Sequence, residues 1–338
     1  MMQQPVTNYE DAFFAQCEER FALKKTLANG DVEATELLKR IDRLSSNVAL
    51  IGTKRALKPG ANVPVIRKLQ RECGGDCIFY HKNLFLVTPQ PRIWHKRGAI
   101  SVPNLYEFMP GHHVSAIPDR HPATLLDITG EDLAALLEAG QGMARRASNG
   151  RILIDGLNFL EIAAASQGHL HGQHGDLTEG GNCASVRERV GAELLAKEFG
   201  CDPFDLYLSA LRLSPLFIYT DDWVTVSSSW APVFPDQVDV WVNAPVPNYL
   251  DASDELIGHV AEALQRALRG LGSVRAVEDV NIICHQAPLA CKTVFPRLHW
   301  HIFPRNRRRE GFLEIGEQFW VVDVFPELTA SELRPFFA

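Results

Sequence analysis

The chain lacks long apolar runs. No stretch approaches the roughly 20 apolar residues of a membrane-spanning helix, so no span is expected. It also lacks an excess of positive charge. Its 34 Lys and Arg against 41 Asp and Glu give a net charge of −7 and a pI near 6.0, which argues against a general nucleic-acid binder. Any phosphate site must be local. The seven cysteines (Cys17, Cys73, Cys77, Cys183, Cys201, Cys284 and Cys291) are odd in number and scattered, unlike the disulfide framework of a small secreted protein. Residues 1–14 hold neither a basic segment nor a long apolar one, so no signal peptide is expected and a reducing cytoplasm is the expected compartment. There is no Walker loop and no catalytic magnesium motif. What is present is a globular composition, 46% apolar over 338 residues, long enough for two domains with separate cores.

The most informative stretch is His169-Leu170-His171-Gly172-Gln173. On an extended strand residues two apart share a face, so the spacing predicts His169, His171 and Gln173 side by side. Small residues flank them (Ala163, Ala164, Ala165, Ser166, Gly168), which lets a bulky anion approach the backbone. An imidazole can attack phosphorus, and a neutral amide nearby can donate to a phosphoryl oxygen. A bare histidine pair also serves as a polar patch or a metal site. The glutamine, the small-residue run and a second such pair at His299-Trp300-His301 favour the chemical reading.

Taken in order, residues 8–46 read as helical: Phe13, Cys17, Phe21, Leu23 and Leu27, then Leu37, Leu38, Ile41 and Leu44 after Asn29-Gly30, fall near a 3.6 period. Lys54–Gly60 is a basic loop. Cys73 and Cys77 form a C-x3-C pair that needs two further ligands to make a zinc site. Strand-like runs follow at Ile78–Tyr80, Leu84–Val87, Ala99–Val102 and His113–Pro118. Thr129, with Asp132 three residues on, reads as a helix cap, and Leu133, Leu136, Leu137 and Met143 as the buried stripe behind it. Arg151–Leu157 is a strand leading to Asn158. Residues 174–210 read as a linking segment with a helix at Ser185–Phe199. The pattern then restarts: strands at Ile218–Ser227 and Gln237–Val242, a helix capped by Ser253 with a stripe of Leu256, Val260, Leu264 and Leu268, a strand at Val280–Cys284, and the second histidine pair.

Both halves thus run strand, loop, capped helix, strand, loop, histidine-pair strand, with the pairs 130 residues apart. This reads as an internal duplication. It is asymmetric where chemistry is concerned, because Phe303 stands in the second copy where Gln173 stands in the first.

These residues resemble the galactose-1-phosphate uridylyltransferase branch of the histidine-triad superfamily over roughly residues 50–338. The family's His-Pro-His-x-Gln motif stands here as His169–Gln173. Its His-x-Ala-Pro, second histidine-pair strand, Gly-Phe/Tyr-Glu stretch and terminal helix stand as His285–Pro288, His299–His301, Gly311–Glu314 and Ser331–Arg334. The resemblance implies an α+β fold of tandem HIT-like domains, each an antiparallel sheet with packed helices: a catalytic domain at 49–210 and a second domain at 211–338, to which this chain adds the helical extension read at 1–48, untypical of the family. It implies His171 as a nucleophile forming a covalent nucleotidyl-histidine, with Gln173 and Ser166 on the phosphate. Asn158 would touch the nucleotide, and Asn104 and Tyr106 would line the base pocket. It further implies a zinc site from Cys73, Cys77, His121 and His169, and a second site, for iron or zinc, from Glu188, His285, His299 and His301. The chain departs from the pattern at Leu170, at the C-x3-C spacing and at Leu105, where the family has proline, C-x2-C and a small acidic residue.

The expected activity is ping-pong nucleotidyl transfer between a nucleotide sugar and a sugar 1-phosphate, in a homodimer, with galactose or glucose as the sugar. The alternatives are a dinucleoside polyphosphate or nucleotide-sugar phosphorylase or adenylyltransferase, and a catalytically silent nucleotide-binding protein. A single nucleophile that accepts and returns the nucleotide splits the transfer into two in-line displacements. Histidine suits the task, being largely neutral near pH 7 and a fair leaving group once phosphorylated.

Overall fold

Side chains alternate between faces along the strands, and that alternation gives one broad, largely buried sheet two unlike faces. The computed structural model describes residues 18–27, 29–41, 48–52, 69, 77–80, 83–84, 92–147, 152–177, 183–229, 232–289, 296–305, 315–316, 324 and 326–338. The main sheet has ten strands: β4 (Ile93–Trp94), β5 (Ile100–Pro103), β6 (His113–Ala116), β7 (Ile152–Phe159), β8 (His171–Leu177), β9 (Phe217–Thr220), β10 (Val224–Ser228), β11 (Val238–Val242), β12 (Val280–His285) and β13 (His299–Pro304). Their order is β4-β5-β6-β8-β7-β12-β13-β11-β10-β9, and every described pairing is antiparallel. Read outward from the β7–β12 seam, both halves place their strands alike: fourth, fifth, third, second, first. The duplication legible in the sequence is thus a duplication of topology.

Helices α1 (Gly130–Ala144) and α4 (Asp254–Arg275) cover one face. Both start as expected. Thr129 and Asp132 form a reciprocal capping box, and Ser253 accepts from Leu256 N–H. Leu133, Leu136 and Leu137 of α1 and Leu256, Val260, Leu264 and Leu268 of α4 are buried in one core with Leu153 and Leu157 of β7, Val280 and Ile282 of β12, and Trp300 and Ile302 of β13. At about 1.5–3 kcal/mol per buried large apolar side chain, this shared core fastens the two halves to each other. The face away from α1 and α4 carries the intervening residues: Ile154, Gly156 and Asn158 on β7, Asn281, Ile283 and His285 on β12, and His299, His301 and Phe303 on β13. Helices α2 (Ala184–Phe199) and α3 (Pro203–Arg212) join the halves, and α5 (Pro326–Leu333) closes the chain.

Several expectations are corrected. The described part of the N-terminal extension is not helical: β1 (Glu18–Thr26), β2 (Val32–Ile41) and β3 (Val48–Gly52) form a separate antiparallel sheet. Asn29-Gly30, between two runs that also alternate with period two, is a hairpin signal, and Gly30 takes a φ of 90° in that turn. Phe21, Leu23 and Lys25 turn inward while Ala22 and Lys24 are exposed. Ile78–Tyr80 is a turn. Of Leu84–Val87, Leu84 belongs to a short helical turn and the rest lies outside the described residues. The single strand expected at Ile218–Ser227 is the β9–β10 hairpin, bent where Asp221 accepts from Trp223 and Val224 N–H at 2.7 Å each. The linking segment holds the end of β8 and most of α3, begun by Asp202 capping Phe204 N–H. Phe13, Cys17, Cys291, Lys54–Gly60 and Gly311–Glu314 lie outside the described residues.

A polar row crosses the first half beneath α1, with one residue from each neighbouring strand. His95 bonds Ser101 (2.8 Å), Ser101 bonds Ser115, Ser115 bonds His174 (2.7 Å), and His174 faces Asp155 (3.3 Å). Gly140 of α1 makes room for it, since a Cβ there would meet Asp155 Oδ2 at 1.9 Å. Burial, then repulsion from His174, Arg146 and His113, lowers the His95 pKa to about 4. The folded ring therefore stays neutral where an unfolded histidine, with a pKa near 6.5, takes a proton. The resulting stability is intact above that value and is lost as pH falls toward 4.

Two outcomes are expected. The thermal midpoint falls between pH 7 and pH 5, and His95→Gln, whose amide can still reach Ser101, makes that fall shallower; equal slopes would show that His95 does not contribute. At the seam, a Cβ on Gly156 would meet the Ile282 carbonyl oxygen at 2.5 Å. Gly156→Ala should cost about 1–3 kcal/mol, seen in urea unfolding, and a wild-type midpoint would show that the seam yields freely.

Candidate active site and metal centres

Transverse rows of side chains cross the face away from α1 and α4. Gln173, Gly156, Ile283, His301 and Asp239 stand in register on β8, β7, β12, β13 and β11. In the next row Asn158, Asn281 and Phe303 are paired in turn, and His171 stands one residue beyond the Leu157–Gly172 pair, opposite Asn158. The row on the other side holds His285, His299 and Trp241.

His171 is 3% exposed. Its Nδ1–H donates to the His169 carbonyl at 2.7 Å, which fixes the tautomer and leaves the lone pair on Nε2. Phe79 packs against the ring, with centroids 5.3 Å apart. The expectation of one strand from 169 to 173 is corrected: His169 lies in the bend 166–169 and the strand begins at His171. The bend aims the two rings at different partners and brings the His169 carbonyl onto His171. Ser166, half-buried, occupies the start of the same bend.

Asn104 caps its own turn, its Oδ1 accepting from Tyr106 N–H at 2.8 Å. His112 Nε2 lies 3.1 Å from Asn104 Nδ2 and 3.4 Å from Gln173 Oε1. His112, 1% exposed, therefore links the expected base pocket to the expected phosphate ligand, and sequence reasoning missed it. Its only sequence signal was a histidine just ahead of an alternating strand. Lys25 of β1 was missed too. It is buried and donates to the Leu105 carbonyl at 2.7 Å, with Glu107 3.9 Å away, so the N-terminal sheet braces the 104–107 turn.

His169 turns away from His171 toward Cys77 and His121. One ligand atom from each of the three lies within 4.8 Å of the others. Cys77 Sγ is 3.4 Å from His169 Nδ1, while His169 Nε2 donates to the Ile117 carbonyl at 3.0 Å. Ligands of a tetrahedral zinc lie roughly 3.3–3.8 Å apart, so the donor set fits. The buried Nδ1 of His121 has no hydrogen-bond partner among the described residues, which fits an atom that ligates a metal. Burial lowers the His169 pKa to about 3 and also lowers that of His121, which keeps both rings in the neutral form a metal needs. Cys73, the fourth expected ligand, lies outside the described residues.

The second cluster gathers Glu188 of α2 with His285, His299 and His301, again within 4.8 Å. Glu188 Oε1 bonds His285 Nδ1 at 2.8 Å, and Glu188 carboxylate oxygens lie 3.6 Å from His299 Nε2 and 3.7 Å from His301 Nε2. His299 Nδ1 donates to the Arg297 carbonyl (2.6 Å), and His301 Nδ1 faces Asp239 (2.7 Å). Both rings then point Nε2 at each other, 3.1 Å apart. Two facing lone pairs require a cation between them or beside them. Without one, a proton supplies the charge: burial disfavours it on His301, but Asp239 and Glu188 prevail and raise its pKa to about 10. Burial alone would raise the Glu188 pKa, yet His299, His285 and His301 hold it well below the usual carboxylate range. Arg297, 2% exposed, ties the start of β13 to Asp202 and Asp205 at 2.7 and 2.8 Å. Sequence reasoning missed Asp239 and Arg297, the supports behind the expected ligands.

Both donor sets predict retained metal. Elemental analysis of the purified protein should show metal that falls by about one ion per chain in His299→Ala. In Cys77→Ser a separate ion should be lost or weakened. Unchanged metal content in both variants would show that the clusters are polar packing.

A family model for the HIT domain matches residues 213–308. No protein of curated function matches the chain by sequence. Among solved structures, one described as a uridylyltransferase aligns over 88% of this chain and 98% of its own at 17% identity, with a TM-score of 0.69. An ADP-glucose phosphorylase from Arabidopsis thaliana, solved with bound ADP-glucose, aligns over the same shares at 16% identity and 0.66. A galT-like protein from Arabidopsis thaliana does so at 17% identity and 0.66. Residues 213–308 are thus a HIT domain, set in a chain that has the fold of the uridylyltransferases.

Proposed function

We propose that the protein is a nucleotidyltransferase that works through a covalent nucleotidyl-histidine on His171. The observation that carries this reading is the hydrogen bond from His171 Nδ1 to the His169 carbonyl, which presents Nε2 as the nucleophile on the side-chain face shared with Gln173 and Asn158. In the first step His171 Nε2 bonds to the α-phosphorus of a nucleotide sugar while the bond to the bridging oxygen breaks, releasing the sugar 1-phosphate. In the second, a phosphate oxygen of the acceptor bonds to the same phosphorus and the P–N bond breaks, returning neutral His171. Gln173 and Ser166 donate to the phosphoryl oxygens as charge builds on them. Asn158 contacts the nucleotide, and Asn104 and Tyr106 line its base.

The substrates we propose are UDP-glucose and a hexose 1-phosphate such as galactose 1-phosphate. Cys73, Cys77, His121 and His169 hold zinc, whose role is to fix His169 and so the carbonyl that orients His171. Glu188, His285, His299 and His301 hold a second, structural ion, iron or zinc. Residues 49–210 and 211–338 are the two domains, and the protein works as a cytoplasmic homodimer. A second reading, a nucleotide-sugar phosphorylase, is favoured by the ADP-glucose phosphorylase likeness and by Leu105 in the proposed base wall.

Intact masses after incubation with UDP-glucose or ADP-glucose, without acceptor, test the chemistry. A gain of one nucleoside monophosphate, absent in His171→Gly, is expected, and no gain with either donor would sink the covalent reading. Discharge of the adduct by galactose 1-phosphate supports the transferase, and discharge by inorganic phosphate supports the phosphorylase. Gln173→Leu should slow adduct formation by about 10²-fold, the cost of one oxyanion donor. An unchanged rate would remove Gln173 from the phosphate site.

A further inference from the structure

Amide side chains present either a donor or an acceptor, and which one is usually a matter of assignment. At Asn158 it is dictated by the second half of the molecule. Arg305, just after β13, donates from Nη1 to Asn281 Oδ1 at 2.9 Å. A guanidinium cannot accept, so this contact forces Asn281 to offer its oxygen there. Asn281 Nδ2 then donates to the Ala163 carbonyl at 2.9 Å and to Asn158 Oδ1 at 2.6 Å. A carbonyl cannot donate, so Ala163 enforces the same orientation independently. Both Asn281 protons and its oxygen are engaged, and the residue is 8% exposed. Asn158 must keep its oxygen toward Asn281. Its Nδ2 makes no hydrogen bond among the described residues, and the half-buried side chain stands on the face away from α1 and α4, across from His171.

We infer that Arg305 and Asn281 are positioning residues that lock Asn158 as an obligate hydrogen-bond donor toward a phosphoryl oxygen of the bound nucleotide. The inference rests on the nucleotidyl-transfer reading and assigns work to two residues outside it. A phosphoryl oxygen is an acceptor only, so a reversed Asn158 would set oxygen against oxygen beside the nucleophile. An asparagine free to turn would lose part of its binding energy by sampling that state. The lock comes from β12 and the end of β13, so the second domain shapes the first domain's phosphate site without touching the ligand.

The test is calorimetric affinity for UDP-glucose and ADP-glucose in the wild type, Asn281→Asp and Asn281→Leu, with thermal midpoints measured alongside. Aspartate keeps an acceptor for Arg305 and the side-chain shape but has no proton for the Ala163 carbonyl or for Asn158, which must turn its Nδ2 inward and its oxygen out. Asn281→Asp should weaken binding at least tenfold. Asn281→Leu, which releases Asn158 without reversing it, should weaken binding about two- to fivefold, the worth of part of one net hydrogen bond. A purely structural role predicts the opposite rank, with the isosteric aspartate the milder change. That rank, or wild-type affinity in either variant, would overturn the inference. Wild-type protein that binds neither sugar nucleotide would overturn the nucleotide reading, and the inference with it.

Discussion

The antiparallel pairing of β7 with β12 is the constraint on which the rest depends. It joins two five-stranded halves into one sheet and sets their registers against each other. Because strand side chains alternate, that one register sends Leu153, Leu157, Val280 and Ile282 into the helix-covered core and sends Asn158, Asn281 and His285 to the other face. A slip of one residue would bury the polar set and expose the apolar one. Gly156 permits the close approach to the Ile282 carbonyl that the seam requires.

On that face the duplicated topology has been put to two uses. In the first half the histidine pair is divided by a bend, so that His169 turns to Cys77 and His121 while its carbonyl orients His171. In the second half the pair lies on a regular strand, both rings face one point, and Glu188 of α2 completes the set. Neighbouring backbone decides the difference: a bend separates the functions of two side chains two residues apart, whereas an unbroken strand combines them. The supports are partly shared. Carbonyl acceptors orient His169, His171 and His299, and the carboxylate of Asp239 sits behind His301 alone.

The local signals that were legible are those with a short-range physical cause. Capping needs only three residues of spacing, so Thr129 with Asp132, and Ser253, were readable. The buried stripes of α1 and α4 and the repeat of the histidine pair were readable for the same reason. Misreadings arose where two periods compete in a short segment. Between residues 18 and 41 the apolar residues fit a helix loosely and a strand well, and the Asn-Gly turn was the signal that should have decided it. The β9–β10 bend at Asp221 was hidden because an Asx turn needs a single residue.

By itself, the sequence determined the duplicated strand-and-helix order and the histidine-glutamine motif, because each depends on spacing along the chain, whereas the two expected metal-ligand sets came from the family resemblance. Only the tertiary structure decided that Asp239 backs His301, that Lys25 braces the 104–107 turn, that His112 stands between Asn104 and Gln173, and that Arg305 and Asn281 dictate which end of Asn158 faces outward. Those are long-range hydrogen bonds whose partners no periodicity announces. Their geometry exists only once β7 and β12 have met.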